Sequence, residues 1–348
     1  MIMKNYSTRE SFIGKNMNLS VYPKYSDLKG FVEQAGCFDS QIDFYTYRLI
    51  MLVGFLVLNI LVLLFCDIFL LQIFNSICLA FVFVQISLLA HDIVHRQAWK
   101  NIVIDIIIAN LFLGISCSWW HNKHNKKHHR HTNQLGLDAD IEAPFLAFSK
   151  EQVSEKKGFE KFIIRYQAYY VFLLFIPIPL YMTLESINFL MSHKVKYKLL
   201  EIISIIIHFS AFFLFLFISH MSISQILIFF AISKGLFGLY LGSIFIVNHT
   251  GMPVLCKSDK VDYFLSQIIT ARNVKSHLLI DFIMGGLNAQ IEHHLFPQIA
   301  RYNLKQARNI VRDFCENYNI PYHETGLWQA FKETLTYLNT ISSLSVSK

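Results

Sequence analysis

The stretch His121-Asn-Lys-His-Asn-Lys-Lys-His-His-Arg-His131 decides how the rest of this 348-residue chain is arranged. It places five histidines in eleven residues, directly after a pair of tryptophans, with lysine and arginine between the imidazoles. A run this polar does not belong in an apolar core. It is either a solvated basic segment that touches anionic lipid or a metal site, and the tract alone leaves both open.

The spacing inside this stretch favours a metal site. On an α-helix, His124 and His128 lie four residues apart on one face, within reach of a common ion. His129 is offset on that helix toward a neighbouring ion. Neutral imidazole is a ligand that suits iron, zinc and copper.

The composition indicates an integral membrane protein. Hydrophobic residues make up 54% of the chain and charged residues only 16%, whereas about a quarter of a soluble domain is charged. The net charge of +7 is scattered between apolar runs, which fits a face against anionic lipid better than a nucleic-acid surface. The six cysteines show no paired spacing, so no disulfide framework and no thiolate metal site is predicted.

The first half of the chain predicts a helical hairpin. Residues 1–48 are polar and mixed, and we expect a cytoplasmic N-terminal segment there with no cleavable signal peptide. The apolar runs at residues 49–65 and 68–90 are each close to the length that crosses a bilayer, so the chain returns to its starting side. Residues 101–117 are only marginally long enough to span and contain polar residues, which predicts an interfacial or re-entrant helix.

Three further apolar segments follow, at residues 168–190, 199–219 and 224–247. An even number of crossings keeps the later histidines on the cytoplasmic side, so one segment turns back or lies in the interface, and the sequence leaves open which. Lys234 inside the last segment is costly against lipid, so it faces protein, water or a headgroup. Helical spacing over residues 304–317 predicts a cytoplasmic helix that closes over the site.

The predicted fold is therefore an all-α, multi-pass helical membrane protein. We expect about four transmembrane helices plus interfacial helices, with a cytoplasmic helical cap that carries the histidines. Eleven lysines and arginines in residues 91–167 assign that side to the cytoplasm.

Two more histidine groups belong to the same face. His91 and His95 lie four apart at the end of the second apolar run, and His293 and His294 follow Gln290 in the C-terminal part. A metal transporter, the rival from another class, would place ionisable groups near the middle of its spans. Here the groups lie at span ends and in polar segments, which counts against transport.

Together these groups resemble the membrane fatty acid desaturases, whose three histidine boxes run HxxxH, HxxxHH or HxxHH, and HxxHH. The context Gln290-Ile-Glu-His-His-Leu-Phe-Pro resembles the front-end, delta-5- or delta-6-like acyl-lipid class, which inserts a double bond between an existing one and the carboxyl end. The Trp119-Trp120 lead-in, the Lys-His-Asn that opens box two and the Asp-Ala-Asp-Ile after it resemble that class too. The similarity covers roughly residues 45–330, and we divide the chain into the N-terminal segment, a desaturase membrane domain at 49–330 and a tail at 331–348.

The resemblance implies a set of metal ligands: His91, His95, His124, His128, His129, His249, His293 and His294. Four more residues are candidates for weak binding or for orienting a ligand: Gln290, Asn248, Asp138 and Asp140. No catalytic residue beyond the ligands is expected. The remaining histidines match no ligand position: His121, His131, His193, His208, His220, His277 and His323.

The resemblance also implies two non-haem irons, with O₂ as co-substrate and two electrons, that introduce a cis double bond into an acyl lipid or acyl thioester. A lipid hydroxylase or a sphingolipid desaturase on the same di-iron scaffold stays an alternative, because box spacing fixes the metal and not the outcome. The sequence contains no His-Pro-Gly-Gly haem motif. This resembles the bacterial members and predicts a separate donor, either a ferredoxin or a free cytochrome b5 with its reductase.

The predicted location is an integral multi-pass position with the metal site on the cytoplasmic face. The membrane would be the inner (plasma) membrane in a bacterium and the endoplasmic reticulum in a eukaryote.

Overall fold

The computed structural model describes residues 24–143, 145–259 and 261–345. In chain order, its first eight α-helices are α1 (Tyr25–Gln34), α2 (Ile42–Phe65), α3 (Phe69–Val94), α4 (Ile102–Ile106), α5 (Cys117–Trp120), α6 (Lys150–Glu155), α7 (Gly158–Ile164) and α8 (Gln167–Tyr170). The others are α9 (Ile178–Ser192), α10 (Lys198–Ile218), α11 (Ile223–His249), α12 (Tyr263–Ile269), α13 (Leu278–Ile283), α14 (Gln290–Leu295), α15 (Leu304–Asn317) and α16 (Leu327–Ser343). Strands β1 (Asn273–Val274) and β2 (Glu324–Thr325) pair in parallel.

Four of these helices, α2, α3, α10 and α11, are long and apolar enough to cross a membrane. They contain 21 to 27 residues, which at 1.5 Å per residue gives roughly 32 to 40 Å against a hydrocarbon core of about 30 Å. The prediction of about four membrane helices in an all-α chain is confirmed. Helix α3 packs along both α2 and α11, and it is the most buried of the four.

Of the three later apolar segments, the one at residues 168–190 does not form a helix long enough to cross a membrane. The run at residues 168–190 breaks into α8, a 3₁₀ turn and the 15-residue α9, because Pro177 and Pro179 interrupt it. The segment Ile102–Leu111 has ten residues, half of them in a π-helix, and is too short to span.

Helix α11 runs through the middle of the molecule. A Cβ at Gly238 would lie 2.1 Å from the Phe175 carbonyl oxygen, so only glycine permits this close approach of the 3₁₀ turn. Of the three surroundings predicted for Lys234, protein is the one observed. Its ammonium lies 4.4 Å from the centre of the Phe83 ring and 4.6 Å from that of Phe212.

The cap is built from helices that follow α11 in the chain, together with α1. A second hydrophobic core joins α1, α12, α14 and α15, and α15 has the bounds that helical spacing predicts. Helix α1, from the predicted N-terminal segment, packs against α15, while residues 1–23 lie outside the described part. Most of the predicted tail forms α16, which packs against α8 and α11. The domain boundaries themselves stay a prediction.

Candidate metal centre

Five imidazoles meet where α3, the box-two segment and α14 converge. One ring nitrogen from each histidine lies within 4.8 Å of the corresponding nitrogens of the other four, and all five residues are buried. We call this the five-histidine cluster: His91, His95, His124, His129 and His293.

A second group lies directly beside it. His128 from the box-two segment, His249 at the end of α11 and His294 from α14 also have ring nitrogens within 4.8 Å of one another. We call these three residues the three-histidine cluster. All eight predicted ligand positions thus fall into two adjacent groups.

The division of box two differs from the simple helical prediction. Residues His121–His128 form a π-helix, and the His129 amide donates to the His124 carbonyl five residues back, at 2.9 Å. This wider turn brings His124 and His129 onto one face and turns His128 to the other cluster. The prediction that His124 and His128 share an ion while His129 serves a neighbour rested on α-helical geometry, and the π-helix changes the partners. A ring nitrogen of His124, one of His128 and a carboxylate oxygen of Asp140 also lie within 4.8 Å of one another, so a common ion for His124 and His128 stays a prediction.

The separations between ring nitrogens fit ligands arranged around common ions. His91 Nε2 lies 2.9 Å from His124 Nε2, and His129 Nε2 lies 3.1 Å from His293 Nε2. In the other cluster His294 Nε2 and His249 Nε2 are 3.2 Å apart. Metal–imidazole bonds of about 2.0–2.1 Å place two nitrogens at a right angle roughly 3 Å apart. The buried His95 Nε2 has no hydrogen-bond partner among the described residues, as expected of a nitrogen that faces a metal.

The protonation states also suit ligation. Burial, reinforced by the neighbouring imidazoles, lowers the pKa of most of these rings well below the ordinary value, so they are neutral and keep a free lone pair. The rings concerned outside the long helices are His95, His124, His129, His293 and His294. Burial also acts to lower the pKa of His128, but the carboxylates of Asp138 and Asp140 outweigh it and raise that pKa.

Asp138 and Asp140 hold His128 from behind. The fully buried Asp138 carboxylate accepts from His128 Nδ1 at 3.0 Å, and Asp140 lies 3.3 Å from the same nitrogen. A carboxylate on the far nitrogen fixes the tautomer and the orientation of a metal-ligating imidazole. Asp138 is itself held, because the backbone amides of Asn133 and Asp140 donate to it.

Oxygen acceptors also hold the two other rings of the three-histidine cluster. His249 Nδ1 lies 3.0 Å from the Thr270 carbonyl oxygen, and His294 Nδ1 lies 3.0 Å from Gln267 Oε1. Each ring therefore turns Nε2 toward the cluster centre. Sequence reasoning missed Gln267 and Thr270, because nothing in their local sequence distinguishes them from ordinary polar residues.

Gln290 and Asn248 form a connected pair beside His249. Asn248 Nδ2 donates to the Leu287 carbonyl and to Gln290 Oε1, at 3.1 and 3.0 Å. Gln290 Nε2 consequently faces His249 Nε2, at 2.9 Å. The amide therefore presents its nitrogen rather than its oxygen to the cluster, which suits an orienting group better than a ligand.

A buried network that sequence reasoning missed joins box one to box three. Arg301 Nη2 pairs with Asp92 Oδ2 at 2.7 Å, and the Arg301 amide donates to the Tyr45 hydroxyl at 3.0 Å. Tyr45 in turn donates to Gln97 at 2.7 Å. Asp92 also lies 3.3 Å from His91 Nδ1, so this network supports the five-histidine cluster from its outer side.

Glu201 anchors the start of the box-two segment and was also missed. Its carboxylate, fully buried near the start of α10, accepts from Ser116 Oγ at 2.5 Å, from Ser118 Oγ and from Asn110 Nδ2 at 3.2 Å. Several hydrogen bonds satisfy a buried carboxylate without a cation. They fix α5, from which the π-helix continues.

The other histidines lie outside both clusters. His121 lines a cavity on the outer side of the box-two segment, His131 contacts Gln134, and His208 Nδ1 donates to the Leu111 carbonyl oxygen. None of the histidines set aside by sequence joins either metal group among the described residues.

Comparisons with known proteins agree with this geometry. The fatty acid desaturase family model matches residues 68–326. The chain is 27% identical to the Delta(8)-fatty-acid desaturase of Euglena gracilis over 89% of this chain and 76% of that protein. It is 30% identical to the Delta(6)-fatty-acid desaturase fat-3 of Caenorhabditis elegans, over 77% of this chain and 64% of that protein.

The acyl-lipid (9-3)-desaturase of Physcomitrium patens is 29% identical over 79% of this chain and 54% of that protein. The matches thus span about half to three quarters of the length of these relatives. The family model nevertheless covers most of the chain, including all three histidine boxes. This chain belongs to the fatty acid desaturase family.

Proposed function

We propose that this membrane protein is a fatty acid desaturase that uses O₂ and two electrons to introduce a cis double bond into an acyl chain. The observation that carries the proposal is the pair of adjacent imidazole clusters at the ends of apolar helices, in a chain of this family. Removing hydrogen from an unactivated methylene is beyond protein side chains alone and requires a redox cofactor.

The cofactor we propose is a pair of non-haem irons, one in each cluster. An all-imidazole donor set suits iron, and no thiolate lies among the candidate ligands. When bound, the irons would activate O₂ with two electrons that come from the electron donor. The residues of this chain have other tasks: the imidazoles bind the ions, the oxygens behind the three-histidine cluster orient its rings, and the apolar helices exclude water.

The front-end position of the new double bond is part of the proposal. Relatives named as Delta(6)- and Delta(8)-fatty-acid desaturases support it, as does Gln290 at the start of box three. We further propose a ferredoxin or a cytochrome b5 with its reductase as electron donor, and a cytoplasmic metal site. Lys194 and Lys196 line the same cavity as Lys126 of box two, so basic residues gather on the histidine side, which supports that orientation.

The test is the fatty acid profile of an aerobic host that expresses the chain with a compatible electron donor and is fed unsaturated C18 acids. Gas chromatography–mass spectrometry should reveal a new species with a double bond near the carboxyl end. The His293→Ala variant should lack it, and the variant with the exposed His193 changed to Ala should retain it. An unchanged profile from a folded protein would sink the proposal, and a hydroxylated product would favour the hydroxylase alternative.

The metal identity has its own test. Protein purified from iron-replete cells should contain about two irons per chain, measured by inductively coupled plasma mass spectrometry. A preparation that is active with zinc or copper, and without iron, would contradict the iron assignment.

A further inference from the structure

A cavity of about 280 Å³ opens on the outer side of the box-two segment. Its wall brings together the end of box one, the π-helix and the turn between α9 and α10. The side chains that matter here are Arg96, Asn122, Lys126, Lys194 and Lys196. No task in the proposed metal centre uses these residues.

The cavity is cationic. Asp105, the acidic residue of the wall, is paired with Arg96. The charges of Lys126, Lys194 and Lys196 are therefore not compensated within the wall. No carboxylate of the described residues forms an ion pair with any of these three lysines, and all three are exposed. Like charges gathered around one recess raise the local concentration of anions.

The cavity lies close to the metal centre. Asn122 and His124 are two residues apart in the chain, so their Cα atoms are at most about 7 Å apart. Lys126 precedes His128 by two residues, and Val94, also in the wall, precedes His95 by one. A ligand seated here is held only a short distance from both histidine clusters.

The form of the site favours a small group over a protein partner. A stable protein–protein interface covers about 800 Å² on each side, whereas this is one recess lined by a few short chain segments. The lysine ammonium groups and the Asn122 side-chain amide at the wall are donors whose hydrogen bonds phosphate oxygens can accept.

We propose that this cavity binds the phosphate of the group that carries the acyl chain. The inference rests on the proposed function, which supplies the acyl substrate. A front-end reaction takes place near the carboxyl end, so the carrier attached to that end has to lie beside the metal centre, where this cavity is. Phosphate is common to a glycerophospholipid headgroup and to an acyl-coenzyme A.

The test is equilibrium binding to the purified full-length protein under anaerobic conditions without reductant, so that no turnover occurs. The ligands are a short-chain phosphatidylcholine, an acyl-coenzyme A and, as the neutral probe, a fatty acid methyl ester. Lys194→Gln/Lys196→Gln is the variant. Lys305→Gln/Lys332→Gln, which removes the same charge from exposed positions on α15 and α16, is the matched control.

We expect at least one phosphate ligand to bind roughly tenfold more weakly to the Lys194→Gln/Lys196→Gln variant, since each basic residue near an anionic surface contributes roughly fivefold in affinity and salt screening reduces the combined effect of two. The ligand whose affinity falls in this variant identifies the carrier. Binding of the methyl ester, and every affinity of the control variant, should stay within about twofold. Unchanged affinity for both phosphate ligands, or an equal loss for the methyl ester, would overturn the inference.

This experiment is independent of the desaturation test. If phosphate binding depends on the two lysines but no double bond forms in cells, the proposed function fails while the cavity assignment stands. If the double bond forms but neither phosphate ligand responds to the lysines, only the cavity assignment fails.

Discussion

The five-histidine cluster and the three-histidine cluster are neighbours, yet their surroundings differ. In the three-histidine cluster every ring has an oxygen behind it: the Asp138 carboxylate, the Thr270 carbonyl or the Gln267 amide. In the five-histidine cluster the rings mainly contact each other, and the buried nitrogens His95 Nε2 and His129 Nδ1 have no hydrogen-bond partner among the described residues. One cluster has more imidazoles, and in the other each imidazole is held by an oxygen acceptor.

The difference indicates how the imidazoles of each cluster are oriented for metal binding. Five imidazoles would leave few free positions on a bound ion, and they constrain one another by crowding. Three imidazoles leave positions open, so their directions depend on outer hydrogen bonds. We therefore expect the five-histidine cluster to tolerate the loss of a ligand, and the three-histidine cluster to depend on its ligands and their supports.

The largest effect should come from removing one ligand from each cluster. His294→Ala leaves two imidazoles in its cluster and should reduce the metal content from two ions per chain to one. His124→Ala leaves four in the other cluster, which should keep its ion after dialysis against a mild chelator. Metal analysis of both variants, beside His193→Ala, measures the contrast, and equal losses from the two clusters would break the comparison.

The next effect concerns the outer support of the five-histidine cluster. Arg301→Met removes the cation from the buried Asp92, and an uncompensated buried charge costs about 3–5 kcal/mol of folding free energy. Denaturant unfolding in detergent micelles checks this value. Arg312→Met, at a partly exposed position of α15, should cost less than about 0.5 kcal/mol. A stable Arg301→Met variant would mean that water or Tyr45 already compensates Asp92.

A smaller and more local effect is expected at Asp138. Asp138→Asn keeps the shape but removes the carboxylate behind His128, and loss of such a support lowers metal affinity by about 10- to 100-fold. Only the three-histidine cluster should be affected, as measured by competition with a chromophoric chelator. Asp140→Asn is the control, because Asp140 is partly exposed, lies farther from His128 and is shared with Lys123; an effect as large as that of Asp138→Asn would contradict the assigned roles.

The sequence predicted the candidate ligands but not how they divide between the two clusters. Residue types and box spacing indicated which histidines belong to the site, and runs of apolar residues indicated the long helices, because both signals are local. The division of His124, His128 and His129 between the clusters depends on the π-helix. A prediction from sequence assumes α-helical spacing and therefore pairs His124 with His128. Arg301, Glu201 and Gln267 escaped notice because their partners lie far away in the chain, between 27 and 256 residues distant.

The topology shows the same limit. Apolar length alone could not decide which of three later segments fails to span. The break at Pro177 and Pro179, and the close contact of that region with Gly238 of α11, decide it through packing. The side chains of Lys194 and Lys196, far from box two in sequence, line the same cavity as Lys126, and the sequence alone does not predict this proximity.

The smallest effect we expect is at Gln290. A variant at this position tests whether the three-histidine cluster has only its three imidazoles as ligands. Its amide oxygen accepts from Asn248, so its nitrogen faces His249 and cannot serve as a ligand while it carries its hydrogens. Gln290→Ala should therefore lower the metal affinity of the three-histidine cluster by less than about tenfold, whereas His249→Ala should empty it. If Gln290→Ala empties the cluster as well, the amide oxygen turns to the ion in the loaded protein, and the cluster has four ligands rather than three.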